Sequence, residues 1–178
     1  LSFNAFAVDT DGDGFSDADE ATLGTDPNDP TSPIENKLTA SDGASSDDFG
    51  QSVSIDGDTA VIGAWLDDDN GTNSGSAYVY VRSNGVWSEQ QKLTASDGAG
   101  GDNFGSSVAI DGDTVVIGAY LDRDNGLNSG SAYVYVRSNG VWSEQQKLTA
   151  SDGASSDNFG YSVAIDGDTA LIGAYADN

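Results

Sequence analysis

The sequence of 178 residues contains no cysteine and no histidine, and only 6 of its residues are Lys or Arg. Without cysteine, neither disulfides nor thiolate chemistry can contribute. Without histidine, the chain lacks the commonest general base, the usual zinc and copper ligand, and every Ser-His or Cys-His nucleophile pair. Any catalysis would therefore depend on carboxylates, Lys or Tyr.

Basic charge is scarce while acidic charge is abundant: 30 Asp and Glu residues give a formal net charge of −24. This balance argues against nucleic acid as a partner, because phosphates would be repelled. Clustered carboxylates instead favour divalent cations, although high acidity also keeps proteins soluble in salty surroundings. No apolar run approaches the roughly 18 residues of a membrane span. The first residues, 1–8, lack the features of a signal peptide, so either a signal has been removed or the chain is part of a longer one.

The chain is organised as a repeat with a period of 55 residues. Residues 37–91 recur as residues 92–146 with only nine differences, and residues 147–178 form a partial third copy. Residues 1–36 precede the repeats and are predicted to contain an N-terminal strand, an acidic loop and a Pro-rich linker. We therefore predict four segments, an N-terminal segment followed by two complete repeats and one partial repeat.

Each repeat predicts four short antiparallel β-strands. Ser52–Ile55 alternates polar and apolar residues, and Thr59–Ala64 (TAVIGA) is apolar enough to be buried on both faces. The following SAYVYVRS and VWSEQQKLTA segments are joined by an Asn-Gly pair that suits a primed hairpin turn. The predicted fold class is all-β, with about two and a half tandem four-stranded blades of the propeller or stacked-meander kind.

Phe49-Gly50, Phe104-Gly105 and Phe159-Gly160 are each followed by an Ile-Gly-Ala step, and this pattern resembles the FG-GAP repeat. The resemblance covers residues 37–178 and implies the β-propeller blades of integrin α subunits and bacterial surface proteins. It also implies a location outside the cell or on its surface, in a bacterium. The calcium hairpin of integrin-type repeats is here reduced to IDGDT, which implies that the blades lack that metal site.

About two and a half blades are too few to close a ring, because propellers need roughly four to eight blades. An open array leaves strand edges and an apolar face uncovered at each end. Two interpretations follow: the chain is part of a longer propeller, or copies join end to end into a filament.

An acidic segment before the repeats, DTDGDGFSDADE, has the spacing of a twelve-residue calcium loop. Calcium requires about six to eight oxygen ligands, and alternating short carboxylates with one backbone carbonyl supply them. A glycine at the sixth position permits the sharp turn, and the alternative is a solvated acidic linker. The predicted ligands are Asp9, Asp11, Asp13, Phe15 (through its carbonyl), Asp17 and Glu20.

The longer segment DTDGDGFSDADEATLGTDPNDP resembles a thrombospondin type 3 repeat. This resemblance implies a calcium-rigidified spacer, and it adds Asp26 and Asn28 as weaker candidate ligands. Weaker candidates also occur in the blades, where D-x-D-N-G-x-N loops suit either calcium or a simple turn. These blade candidates are Asp67, Asp69, Asn73, Asp122, Asp124 and Asn128.

The sequence suggests three possible functions. The first is an extracellular calcium-binding module that adheres to a protein or cell-surface ligand, with variation between repeats gathered at positions 45–46, 51, 68 and 72. The second is a structural subunit that assembles end to end with copies of itself. The third, a carboxylate-pair hydrolase, is disfavoured because each blade acid has a near-identical copy, whereas an active site is normally unique.

Overall fold

The computed structural model describes residues 37–177, which form ten β-strands and no helix. Among the described residues, Lys37 and Leu38 group with Arg82–Trp87 in one compact unit, and Thr39–Val81 groups with Ser88–Asp177 in another. Within the described part of the first unit, the Arg82 guanidinium lies 5.3 Å from the centre of the Trp87 ring.

The strands belong to three antiparallel sheets, which we call blades 1, 2 and 3. Blade 1 has the order β1-β2-β3-β4, blade 2 has the order β5-β6-β7-β8, and blade 3 consists of β9 and β10. The predicted all-β fold with four-stranded antiparallel blades is confirmed, and the sheets form an open array. The strands are Phe49–Asp56 (β1), Thr59–Ala64 (β2), Ser76–Ser83 (β3), Val86–Leu93 (β4), Ser107–Asp111 (β5), Thr114–Ala119 (β6), Ser131–Ser138 (β7), Val141–Leu148 (β8), Phe159–Asp166 (β9) and Thr169–Ala174 (β10).

Local sequence accounts for the strands and their turns. Every residue of β2 is buried, as its continuous apolar sequence predicts. The loop between β1 and β2 begins at Gly57, whose φ of 54° lies in the left-handed region that glycine tolerates. In the β7–β8 hairpin, Asn139 and Gly140 have φ values of 51° and 79°, as a type I′ turn requires.

Each blade has two chemically different faces. Alternation along the strands places Ser54 of β1, Val61 of β2 and Val79 of β3 on one face, which we call the trailing face. The opposite face of each blade, which we call the leading face, carries larger side chains. In blade 2 these are Val108, Ile110, Val115, Ile117, Tyr133 and Tyr135. Side chains from the trailing face of blade 1 and the leading face of blade 2 share one buried core.

The Phe-Gly step of blade 2 docks onto the main chain of blade 1. Phe104 is fully buried, its amide donates to the Ser74 carbonyl at 2.9 Å, and it forms a parallel bridge with Gly75. A Cβ atom on Gly63 would overlap the carbonyl oxygen of Gly105. The backbones can therefore approach this closely only because these positions lack side chains.

Blade 3 docks onto blade 2 through the same contacts. The Phe159 amide donates to the Ser129 carbonyl at 2.9 Å, and Phe159 forms a parallel bridge with Gly130. Ser107 Oγ donates to the Gly160 carbonyl at 2.8 Å, just as Ser52 Oγ donates to the Gly105 carbonyl at 2.7 Å. One docking geometry is therefore used at both junctions.

Adding a single methyl group at the docking step should weaken the junction between blades. We expect Gly63→Ala to lower the free energy of unfolding by about 1–3 kcal/mol, because the new Cβ meets the rigid backbone of the next blade. Urea denaturation measures the change. Gly173→Ala is the matched control, because the same Ile-Gly-Ala step in blade 3 has only the movable Ser162 side chain within 3 Å. Equal losses in the two variants would contradict this account of the junction.

Candidate functional site

Blade 1 contains a lysine held by three carboxylates. Lys92 Nζ lies 2.8 Å from Asp42 Oδ2, 2.9 Å from Asp67 Oδ2 and 2.6 Å from Asp69 Oδ2. The Tyr78 hydroxyl lies 2.8 Å from Asp42 Oδ1 and 3.0 Å from Asp67 Oδ2, and Lys92 Nζ is 5.1 Å from the centre of the Tyr78 ring. We call this group the lysine cluster. It connects the segment before β1, the β2–β3 loop, β3 and β4.

The same lysine cluster recurs in blade 2. Lys147 Nζ lies 2.7 Å from Asp97, 2.8 Å from Asp122 and 2.6 Å from Asp124. The Tyr133 hydroxyl lies 2.9 Å from Asp97 Oδ1 and 3.0 Å from Asp122 Oδ2. The cluster is therefore reproduced, atom for atom and at the repeat spacing, in both four-stranded blades.

Charge pairing dominates the lysine cluster. The Lys92 ammonium holds the pKa of Asp42 below its usual range. Burial acts to raise the pKa of Asp67, but Lys92, the Asp69 amide and Tyr78 outweigh it and lower the pKa. Burial acts to lower the pKa of Lys92, and the three carboxylates reverse this and raise it. The ammonium therefore stays charged, and its charge compensates the buried carboxylate.

The blade residues predicted as calcium ligands separate into two groups. Asp67 and Asp69 meet at Lys92, and Asp122 and Asp124 meet at Lys147. Asn73 and Asn128 instead adopt left-handed backbone conformations, with φ of 56° and 57°, and their carbonyls accept from the amides of Asn103 and Asn158 in the next blade.

Within residues 37–177, no group of three or more acidic residues has the arrangement of a metal site. The cation that the structure places between these carboxylates is an ammonium, and calcium at the blade loops stays a prediction. The stronger predicted calcium ligands lie outside the described residues, and calcium binding by them also stays a prediction. They are Asp9, Asp11, Asp13, Phe15, Asp17, Glu20, Asp26 and Asn28.

A row of aromatic rings runs across the three blades. Trp65 stacks near Tyr120 with a centroid separation of 6.3 Å, and Tyr120 meets Tyr161 edge to face at 5.5 Å. Tyr161 stacks on Tyr175 at 4.9 Å. Tyr161 is 50% exposed and Tyr175 is 74% exposed, so this aromatic row reaches the surface.

An open cleft of about 290 Å³ lies along the aromatic row. Its lining residues come from two positions of the repeat. Gln51, Ser106 and Tyr161 occupy the position directly after Phe-Gly, and this residue differs in all three copies. Trp65 and Tyr120 occupy the position after Ile-Gly-Ala, which is aromatic in every copy. We call this feature the aromatic cleft.

Sequence reasoning missed the lysine cluster, and of the residues that line the aromatic cleft it noted only the variation at position 51. The repeat pattern places Lys92 at the start of the second repeat, whereas its ammonium contacts three carboxylates of the first blade. A usable signal was its scarcity, because Lys37, Lys92 and Lys147 are half of the 6 basic residues and recur at the repeat period. Position 51, by contrast, is one of those where variation between the copies suggested a ligand surface.

The recurring blades and their Phe-Gly docking step define a tandem β-blade repeat protein. The family model for the FG-GAP repeat matches residues 34–80, 87–135 and 142–178, and the chain belongs to the FG-GAP repeat family. The model for the bacterial TSP3 repeat matches residues 9–30. Both resemblances seen in the sequence are thereby confirmed, and the comparison with curated proteins finds no match.

These families constrain function only coarsely. The TSP3 repeat family is associated with calcium binding, and both repeats are typical of extracellular proteins. Both are typically non-catalytic structural modules. No helix among residues 37–177 is long and apolar enough to cross a membrane.

Removing the shared cation should expose the repulsion within the lysine cluster. We expect Lys92→Met to lower the free energy of unfolding at pH 7 by about 2 kcal/mol, less than for a fully buried pair because Asp42 and Asp69 are half-exposed. The lowered pKa values of Asp42 and Asp67 mean that the stabilisation is present at neutral pH and is lost as the pH falls through those values. Urea denaturation should therefore show a smaller difference from wild type at pH 3.

Lys37→Met is the matched control for this experiment, because it removes the same charge from an exposed residue at the same position of the repeat. A loss of stability that is identical at both pH values, or one that is equal for the two variants, would contradict the role assigned to Lys92.

Proposed function

We propose that this protein is an extracellular, non-catalytic binding module that attaches to a protein or cell-surface ligand through the aromatic cleft. The observation that carries this proposal is the composition of the cleft. It combines an aromatic position that is kept in all copies with a position that differs in each copy, so otherwise near-identical blades present a non-repeating surface there. The matched bacterial TSP3 repeat supports a location on or outside a bacterial cell.

The absence of catalysis is part of the proposal. In the lysine clusters, each buried carboxylate is already paired with an ammonium and a tyrosine hydroxyl. Burial and the adjacent carboxylates also raise the pKa of Tyr78 and Tyr133, so these phenols stay protonated. These groups support the blade and offer no free general base at neutral pH.

We also propose that the N-terminal segment binds calcium. Its matched range, residues 9–30, contains all six oxygen donors expected of a twelve-residue calcium loop, Asp9, Asp11, Asp13, Phe15, Asp17 and Glu20. Calcium there would stiffen the segment that leads into the blades. The chemistry it supplies is charge neutralisation and backbone ordering.

Filling the aromatic cleft should abolish attachment to cell surfaces. Fluorescently labelled protein, in buffer with calcium, is expected to bind saturably to bacterial or animal cells in flow cytometry. Ser106→Trp places a bulky side chain in the cleft and should reduce binding to the level seen with excess unlabelled protein. Ser138→Trp, at an exposed position outside the cleft, is the matched control. Lack of saturable binding, or equal binding by both variants, would count against this function.

A second candidate function, end-to-end assembly, has its own supporting observation. In blade 1 the leading face leaves Val53 69% and Ile55 63% exposed, whereas their counterparts Val108 and Ile110 in blade 2 are 8% and 7% exposed. On the trailing face of blade 3, Leu171 is 71% exposed. A second copy would reproduce the contacts between blades 1 and 2 by docking its leading face there. Such a head-to-tail contact generates a filament.

Light scattering and electron microscopy of the same sample test the assembly while calcium is titrated and then chelated. We expect growth into regular fibres with calcium, and Val53→Asp should prevent it by placing a charge in the apolar contact. Val141→Asp, at a residue 59% exposed in the β7–β8 hairpin, is the control and should still assemble. A constant monomer under all these conditions would reject assembly.

A further inference from the structure

The aromatic cleft has the chemistry of a site for an uncharged sugar chain. We propose that it binds a neutral saccharide, with a pyranose ring against Tyr161 and further sugar units along the aromatic row. This inference rests on the proposed binding function and deepens it by naming the class of ligand.

Exposed ring surface supports stacking with a sugar. Tyr161 and Tyr175 stack on each other and still leave half or more of their surface in solvent, whereas Tyr78 and Tyr133 of the blade interior are 0% and 1% exposed. The face of an aromatic ring carries partial negative charge and attracts weakly positive C–H groups. The axial C–H groups on one face of a pyranose match this surface. Few other water-soluble ligands present such a face.

Neutral polar groups stand beside the rings, where sugar hydroxyls need them. Gln51 offers an amide with two donors and an acceptor, and the Ser106 hydroxyl donates to the Gly118 carbonyl at 3.2 Å and so presents its lone pairs as acceptors. Burial, with Tyr161 nearby, raises the pKa of Tyr120, so its hydroxyl stays protonated. A ligand that both donates and accepts hydrogen bonds is matched by this mixture.

Charge distinguishes this ligand class from two others. Among residues 37–177, no Asp, Glu, Lys or Arg lines the aromatic cleft, although the protein carries a net charge of −24. An acidic saccharide would be repelled by the protein as a whole and would find no cation in the cleft. A quaternary ammonium suits aromatic faces, but it has no donor or acceptor to pair with the Gln51 amide or the Ser106 lone pairs.

The aromatic row also repeats from blade to blade, as sugar units repeat along a polysaccharide. The same position of the repeat supplies Trp65, Tyr120 and Tyr175, one ring from each blade. A polysaccharide presents identical units along its length, so several of its units can contact successive rings of the row. Simultaneous contacts raise the overall affinity without requiring a tight single subsite.

Affinity electrophoresis of the full chain in native gels tests the proposal. The gels contain dextran, mannan or xylan as neutral polymers and alginate as an acidic one. We expect at least one neutral polymer to retard the protein and alginate to have no effect. Tyr161→Ala should weaken the retardation about tenfold or more in polymer concentration, because it removes the exposed stacking face. Tyr161→Phe should retain most of it, because the ring remains.

Controls separate loss of the site from loss of the fold. Each variant must match wild type in urea denaturation, and Gln51→Ala provides a second change within the cleft that leaves every ring in place. Val141→Ala, an exposed apolar residue away from the aromatic row, should behave as wild type.

Three outcomes would overturn the proposal: no retardation by any of the neutral polymers, retardation that Tyr161→Ala leaves unchanged, or displacement by choline and not by the free sugar. The underlying binding function is judged separately. If labelled protein still binds cells saturably and Ser106→Trp prevents it, while no neutral polymer retards wild type, the saccharide inference alone fails. If cell binding is absent as well, both fail.

Discussion

The close approach of one backbone to another at the Phe-Gly step determines how the blades are arranged. Phe104 is fully buried with its ring against Tyr133 and Tyr135 of its own blade, while its amide donates to the Ser74 carbonyl of blade 1. The absence of a Cβ on Gly63 makes room for the Gly105 carbonyl. Main-chain hydrogen bonds fix the position, and the phenylalanine ring contributes apolar burial. Because Phe-Gly contacts the preceding blade at both described junctions, the direction of stacking follows the direction of the chain.

Within a blade, the lysine cluster complements this apolar junction. Three carboxylates would repel one another if they were brought together without a cation, and Lys92 provides that cation from the neighbouring strand. The lysine is covalently part of the fold, so in blades 1 and 2 a positive charge always stands beside these carboxylates. The acidic N-terminal segment carries a calcium-loop spacing and has no such lysine within residues 9–30.

Much of the fold was predictable because its signals are local. The alternation in SAYVYVRS, the buried TAVIGA segment and the Asn-Gly turns each act over a few residues, and all are reproduced in the structure. The junction between blades depends on partners more than 30 residues apart, such as Gly63 and Gly105, and sequence patterns do not reveal which faces meet. The spacing of Asp67 and Asp69 suggests calcium ligands or a turn. It could not show that Lys92, 23 residues beyond Asp69, places an ammonium beside both carboxylates.

The unequal faces of a blade have a consequence for how such a protein changes in length over evolution. A single segment of 55 residues encodes both a large apolar leading face and a small trailing face. A tandem duplication of that segment therefore creates a new blade together with a ready-made partner surface, with no compensating substitution required elsewhere. The near-identity of residues 37–91 and 92–146 shows how little divergence has followed one such event. Selection can then act on the few side chains along the cleft while the scaffold grows or shrinks by whole units.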